Sequence, residues 1–129
     1  MDPFQTPGAF SWSELMTTDP AAATEFYKGL FGWTIEPMDM GMPYNVLKVG
    51  ESAIGGIMGL PPGAPVGMPP MWAAYVTVTD VDALVGKVKS LGGKVMMPPA
   101  DIPNVGRFAV IQDPQGATLN VIAYKMPAG

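Results

Sequence analysis

Apolar and polar residues alternate along this chain in blocks that change period. Phe10–Thr17 is a mostly apolar run that predicts a strand. Thr18-Asp19-Pro20 then signals a helix start, because Asp19 can accept from free N–H groups and proline suits the first helical position. Ala22, Phe26 and Leu30 follow four apart and set one apolar stripe, widened by Ala23 and Tyr27; Gly32 predicts the stop. Three short strand-like runs come next, at residues 33–37, 44–49 and 51–58. The order then repeats. Residues 72–79 alternate and are rich in Val and Thr, as a strand requires. Thr79 and Asp82 have capping-box spacing. Val81, Leu84, Val85, Val88 and Leu91 carry a helical period that Gly92-Gly93 ends. Strand runs at 94–97, 107–112 and 117–124 close the pattern, the last two joined by the turn signal Asp113-Pro114-Gln115-Gly116.

Placing Asp19 on Asp80 gives an offset of 61 positions, under which Thr18 meets Thr79, Ala22 meets Ala83, Leu30 meets Leu91, Gly32 meets Gly93 and Pro37 meets Pro98. These matches fall at a helix start, a helix stop and a following proline, so the repeat is structural. The fold class is therefore α+β, with two tandem βαβββ modules. Module one covers about residues 8–60 and module two about 72–126 of a single 129-residue domain. Between them, residues 59–71 hold five prolines and three glycines and predict a stiff, extended linker. Neither module can bury both faces of its sheet alone. The expected solution is one curved mixed sheet with helices outside and a central cavity inside.

Composition narrows the chemistry. Lys and Arg number seven against eleven Asp and Glu, a net charge of −4 without basic clusters, which excludes a nucleic-acid footprint. The chain has no cysteine and no histidine. Disulfides, thiolate sites, a Cys nucleophile and a Ser-His-Asp triad are excluded, as is the commonest metal ligand. No basic, apolar leader opens the sequence and no apolar run is long enough to span a bilayer, so the expected location is cytoplasmic.

Ser11-Trp12-Ser13-Glu14-Leu15, Thr18-Asp19-Pro20, Phe26-Tyr27 and Leu30-Phe31-Gly32-Trp33 resemble the opening of vicinal oxygen chelate proteins, the glyoxalase, bleomycin-resistance and dioxygenase superfamily. Gly106-Arg107-Phe108-Ala109-Val110 and Asp113-Pro114-Gln115-Gly116-Ala117 resemble its closing signature. The resemblance covers nearly the whole chain. It implies the same paired-module fold, a homodimer, and either a lyase, isomerase or dioxygenase activity or the drug binding of the resistance proteins. In metal-using members a ligand sits on the first and last strand of each module. That pattern places Trp12 and Ala73 at the first-strand positions, Asn120 at the last strand of module two, and Gly55 or Gly56 at that of module one. Indole, methyl, a bare backbone and a single carboxamide do not make a divalent centre, so no metal and no cofactor is expected.

Strand alternation puts Trp12, Glu14 and Met16 on one face, and Ala73, Tyr75 and Thr77 on the matching face of module two, with Ser13, Leu15, Val76 and Val78 toward the helices. Glu14 is the candidate for catalysis, as a general base, or for holding a cationic or hydroxyl-bearing ligand. Arg107, the lone arginine, could fork onto a ligand carboxylate or onto Glu14. Trp12, Tyr44, Trp72 and Tyr75 could form an aromatic wall, with Met58 as adaptable lining and Asn120 as a hydrogen-bonding floor. The other loop methionines, Met38, Met40, Met42, Met68, Met71, Met96 and Met97, suit a pocket or an oligomer interface equally. Two functions stay open. One is a metal-free cup holding an apolar or aromatic small molecule, in a binding or resistance role. The other is an enzyme of the superfamily that uses Glu14 as base, with Arg107 or Asn120 steadying an enolate or carboxylate.

Overall fold

The computed structural model describes residues 1–39, 42–60, 67, 69–102 and 105–125. Ten elements follow in the order strand, helix, three strands, twice over: β1 (Phe10–Thr17), α1 (Pro20–Phe31), β2 (Thr34–Asp39), β3 (Pro43–Val49), β4 (Ser52–Gly59), β5 (Met71–Thr77), α2 (Val81–Ser90), β6 (Lys94–Ile102), β7 (Gly106–Gln112) and β8 (Thr118–Tyr124). The fold is α+β, built from two βαβββ modules. Most of the linker, residues 61–66 and 68, lies outside the described residues, as do Met40 and Met68.

The chain divides into two compact units, Trp12–Ala73 and the remainder, in which Met1–Ser11 joins the chain from Ala74 onward. In the Trp12–Ala73 unit the strands run β2-β3-β4-β1, with β1 parallel to β4 and the other pairs antiparallel. In the other unit they run β5-β8-β7-β6, with β5 parallel to β8 and the rest antiparallel. A parallel pair needs a crossover, and in each module helix and strands between first and last supply it.

The helix ends follow the local chemistry. Asp19 caps α1 by accepting from the Ala22 N–H at 3.0 Å, and Gly32 closes it at φ 73°, a left-handed position that suits glycine. In α2 the cap is Asp80, which accepts from Ala83 N–H at 3.1 Å. Thr79 and Asp82 therefore do not form the expected capping box; Asp80, one residue later than Thr79, holds the favoured position, and Asp82 lies in the first turn.

Leu15, Leu47 and Ile57 form the core of the first module, packed against Ala23, Tyr27, Trp33 and Ile35. Val81, Ala109 and Val121 form that of the second, against Val78, Leu84, Val85, Ile111 and Ala123. The stripe read as Ala22, Phe26 and Leu30 is not the buried face of α1: Phe26 is 63% and Leu30 59% exposed. Ala23 and Tyr27, the residues expected to widen the stripe, do face the sheet, joined by the buried Thr24, whose Oγ1 accepts from Asn45 Nδ2 on β3 at 3.1 Å.

β6 runs on to Ile102, well beyond the predicted 97, by bulging between Val95 and Met97 and between Met97 and Ala100, around Pro98-Pro99. β6 and β2, which carries Pro37, are the outermost strands of their units. Asp113 Oδ1 accepts from Gln115 N and Ala117 N, both at 3.0 Å, and fixes the β7–β8 turn as expected. Among the described residues no helix is long and apolar enough to cross a membrane.

Candidate functional site

The face of module one turned away from α1 gathers Trp12, Glu14 and Met16 on β1, Gly56 and Met58 on β4, and Tyr44 and Val46 on β3. The register follows from pairing: Glu14 lies beside Gly56 and Met16 beside Met58 on one side, while Val46 lies beside Gly56 and Tyr44 beside Met58 on the other. Ser13 and Leu15 point toward α1, as strand parity requires.

Tyr44 organises this face. From β3 its ring reaches across β4 and places the hydroxyl over β1, where it donates to Glu14 Oε1 at 2.8 Å and accepts from Trp12 Nε1–H at 2.9 Å. Glu14 and Tyr44 are both buried, 8% and 7% exposed. The crossing is possible because β4 has glycine beneath it. A Cβ added at Gly56 would overlap Tyr44 Oη, Cζ and Cε1. Gly56 therefore belongs to the site as an absence of side chain, a role visible in the sequence only as a Gly-Gly pair inside a strand.

In module two, Tyr75 on β5 pairs in register with Asn120 on β8, and both are buried. Thr77, Ile122 and Tyr124 continue the same face by alternation. The N-terminal segment lies along it. Thr77 Oγ1 donates to the Pro3 carbonyl at 2.6 Å, Gly8 N–H donates to the Thr77 carbonyl at 2.8 Å, and Thr77 N–H donates to the Ala9 carbonyl at 2.9 Å. The Phe4 ring stands edge-on to Tyr124 at 5.1 Å, and Tyr124 shares a 2.7 Å hydrogen bond with Ser11. Burial pushes the Tyr124 phenol up, and the Ser11 hydroxyl opposes that in part.

Two expected site residues lie elsewhere. Arg107 on β7 pairs with Ala123, on the helix side of the strand, and forks onto Asp82 of α2 at 2.8 and 2.9 Å, with Asp101 at 3.1 Å. Its position one residue out of phase with the ligand-side parity of β7 places it there. The guanidinium hydrogen bond holds the Asp82 carboxyl below its ordinary range, and the two carboxylates raise Arg107 further. Arg107 thus pairs with Asp82 and Asp101, not with Glu14. Trp72 is likewise out of phase with Tyr75 on β5. Its Nε1–H donates to Tyr27 Oη at 3.2 Å and its ring stands edge-on to Tyr27 and Trp33, so it joins the α1 side and not the wall containing Trp12 and Tyr44.

The residues at the superfamily's ligand positions do not fit a divalent ion. Trp12 carries only an N–H, already given to Tyr44, and indole has no donor pair for a metal. At Gly56 there is no side chain, and Tyr44 fills the space one would take. Ala73 has a methyl, which leaves Asn120 as the one polar side chain of the set. Among the described residues no three His, Cys, Asp or Glu side chains converge as a metal group.

Comparison with known proteins agrees on the fold and separates on activity. The chain is 44% identical over 117 residues to the glyoxylase candidate CFP32 of Mycobacterium tuberculosis, covering 88% of this chain and 45% of that protein. It is 36% identical over 128 residues to the anthracycline biosynthesis protein DauV of Streptomyces sp. strain C5, covering 89% and 46%. The chain thus spans about half the length of the curated relatives it matches. Among solved structures, methylmalonyl-CoA epimerase from M. tuberculosis superposes with a TM-score of 0.67 at 18% identity, covering 97% of this chain and 92% of that one. The hypothetical protein BH1468 of Bacillus halodurans gives 0.71 at 16%, covering 96% and 99%. At such identities the structural likeness shows the fold alone. The sequence profile of the glyoxalase/bleomycin resistance protein/dioxygenase superfamily matches residues 9–121, and the chain belongs to that superfamily.

Proposed function

We propose that this chain is a small-molecule-binding member of the superfamily that works without a metal at the family's usual corner. Its ligand, apolar or aromatic, lies against the face of module one that carries Trp12, Tyr44 and Met58. The observation that carries this reading is the reach of Tyr44 over Gly56 to Trp12 and Glu14, which consumes the space and the donors of the module-one ligand positions. The DauV relative, by name a protein of anthracycline biosynthesis, is consistent with flat polycyclic ligands. The same reading, through the family resemblance, carries a homodimer, which sedimentation of the purified protein checks.

The experiment is a metal analysis of purified protein followed by a thermal-shift screen of flat aromatic compounds, an anthracycline included. Expected are no stoichiometric metal and a ligand-dependent rise in melting temperature; a ligand at a hundredfold its Kd adds about 2.7 kcal/mol. Trp12→Ala should remove the rise. Stoichiometric metal, or a rise that Trp12→Ala leaves intact, overturns the proposal.

A second reading is favoured by the burial of Glu14 with a phenol as its hydrogen-bond partner. In it Glu14 is the base of a lyase, isomerase or dioxygenase-like reaction, with Tyr44 holding its orientation. CFP32, by name a glyoxylase candidate, supports this arm. Turnover of a glyoxalase, epimerase or extradiol substrate, lost in Glu14→Gln with folding intact, decides for the enzyme.

A further inference from the structure

On the opposite face of module one, between α1 and the sheet, is a recess of about 450 Å³. Its floor is Ser13, Leu47 and Gly55, and its walls are Tyr27, Phe31, Trp33 and Trp72, with Ile54 at the rim. We infer that this recess is a second binding site, for a neutral, planar aromatic molecule, separate from the face that carries Trp12 and Glu14.

Four features of the recess support this. The rings are held before any ligand arrives: Tyr27 stacks on Trp33 at 6.0 Å and on Phe31 at 6.2 Å, and Trp72 closes edge-on to Tyr27 at 5.3 Å and to Trp33 at 6.3 Å. Ring faces in two nearly perpendicular orientations offer a flat guest both stacking and edge contacts. The floor includes Gly55, which has no side chain; an added Cβ there would collide with the Ser13 carbonyl oxygen of β1. No charged side chain lines the recess, and the polar groups there are hydroxyls. Tyr27 Oη accepts from Trp72 and keeps its own proton to donate, and Ser13 Oγ has no partner among the described residues. A neutral guest with one or two acceptors satisfies that set, whereas a charged one would be desolvated without a counter-charge.

Size and exposure agree. The volume lies within the range of small-molecule sites, roughly 300–1,000 Å³. Phe31 is 57% exposed, and Trp72 and Ile54 are exposed beside it, an apolar area that a folded chain does not leave wet without a use.

The probe is N-phenyl-1-naphthylamine, neutral and fluorescent in apolar sites, titrated into the full chain. Expected are a saturable component of one probe per chain in the recess, beside any bound on the Trp12 face, and quenching of tryptophan emission. Phe31→Gln and Ile54→Gln, both at exposed positions, should weaken binding at least tenfold with unchanged circular dichroism. Glu14→Gln and Trp12→Phe, on the other face, should leave that recess component unchanged, whatever they do to binding on their own face. The inference is overturned if the rim variants bind as the parent does. It is also overturned if only the Trp12 and Glu14 variants lose the probe, which would place the guest on the opposite face. Self-association that Phe31→Gln abolishes, with no probe bound, would assign the recess to a second copy of the chain and overturn it as well.

Discussion

Gly56→Ala isolates the feature on which the proposed site depends. The new methyl would occupy the space of the Tyr44 phenol, so the ring must leave its place over β4. Leaving breaks the 2.8 Å bond to Glu14 and the 2.9 Å bond from Trp12. Withdrawing the Tyr44 donor from a buried acceptor costs about 1–3 kcal/mol. Partial exposure of a ring that is now 7% exposed, and the misfit of any shorter excursion, add about 1–2 kcal/mol. The expected total is about 3 kcal/mol, a loss of about 10 °C in melting temperature for a domain of this size. Urea denaturation followed by tryptophan emission measures it. The attribution to Tyr44 needs a double-mutant cycle with Tyr44→Ala, in which no ring remains to be displaced. Gly56→Ala should then cost less than about 1 kcal/mol, giving a coupling of about 2 kcal/mol. Equal costs in the two backgrounds would refute the reasoning, because the penalty would then come from the β4 backbone and not from the phenol.

Three further outcomes are expected. Asp82 has its carboxyl pKa lowered by Arg107, so the pair's contribution is complete above the ordinary carboxylate range and fades as pH falls through the depressed value. Acid unfolding of Asp82→Asn should therefore be less steep below about pH 4 than that of the parent, as read by circular dichroism. Tyr124 has its pKa raised, so it stabilises fully below about pH 10 and the contribution is lost as pH climbs through the folded value; Tyr124→Phe should flatten that alkaline limb in a pH titration of melting temperature. Thr77→Val removes the donor to Pro3 and should cost about 1 kcal/mol, with faster proteolytic cleavage between Pro3 and Gly8 as the direct readout.

The local punctuation of the chain was legible because it acts within a few residues. Asp19, Gly32 and the Asp113 turn do in the structure what their types predict, and β1 has the predicted bounds. The placement of Trp12 and Glu14 on one face followed from strand parity. Trp72 and Arg107 were misplaced although the same parity argument applies to them; each is one residue out of phase with its supposed neighbours. The α1 stripe was right in part, at Ala23 and Tyr27. Periodicity centred the stripe on Phe26 and Leu30, whereas the buried side is centred on the Ala23, Thr24 and Tyr27 edge of it, a rotation of the helix that no single-helix pattern fixes. The reach of Tyr44 over Gly56 joins three strands, and no pattern within one strand encodes it.

The two outermost strands carry prolines at repeat-related positions, Pro37 in β2 and Pro98 in β6, and β6 adds Pro99 and two bulges. Proline carries no N–H to offer an incoming strand, and each bulge bends the edge away from a straight partner. A strand edge left open at β2 or at β6 would otherwise recruit strands from other molecules. The repeat has thus conferred on both borders the same protection against fibre-like growth. Pairing of copies by extension of β2 or β6 is thereby disfavoured.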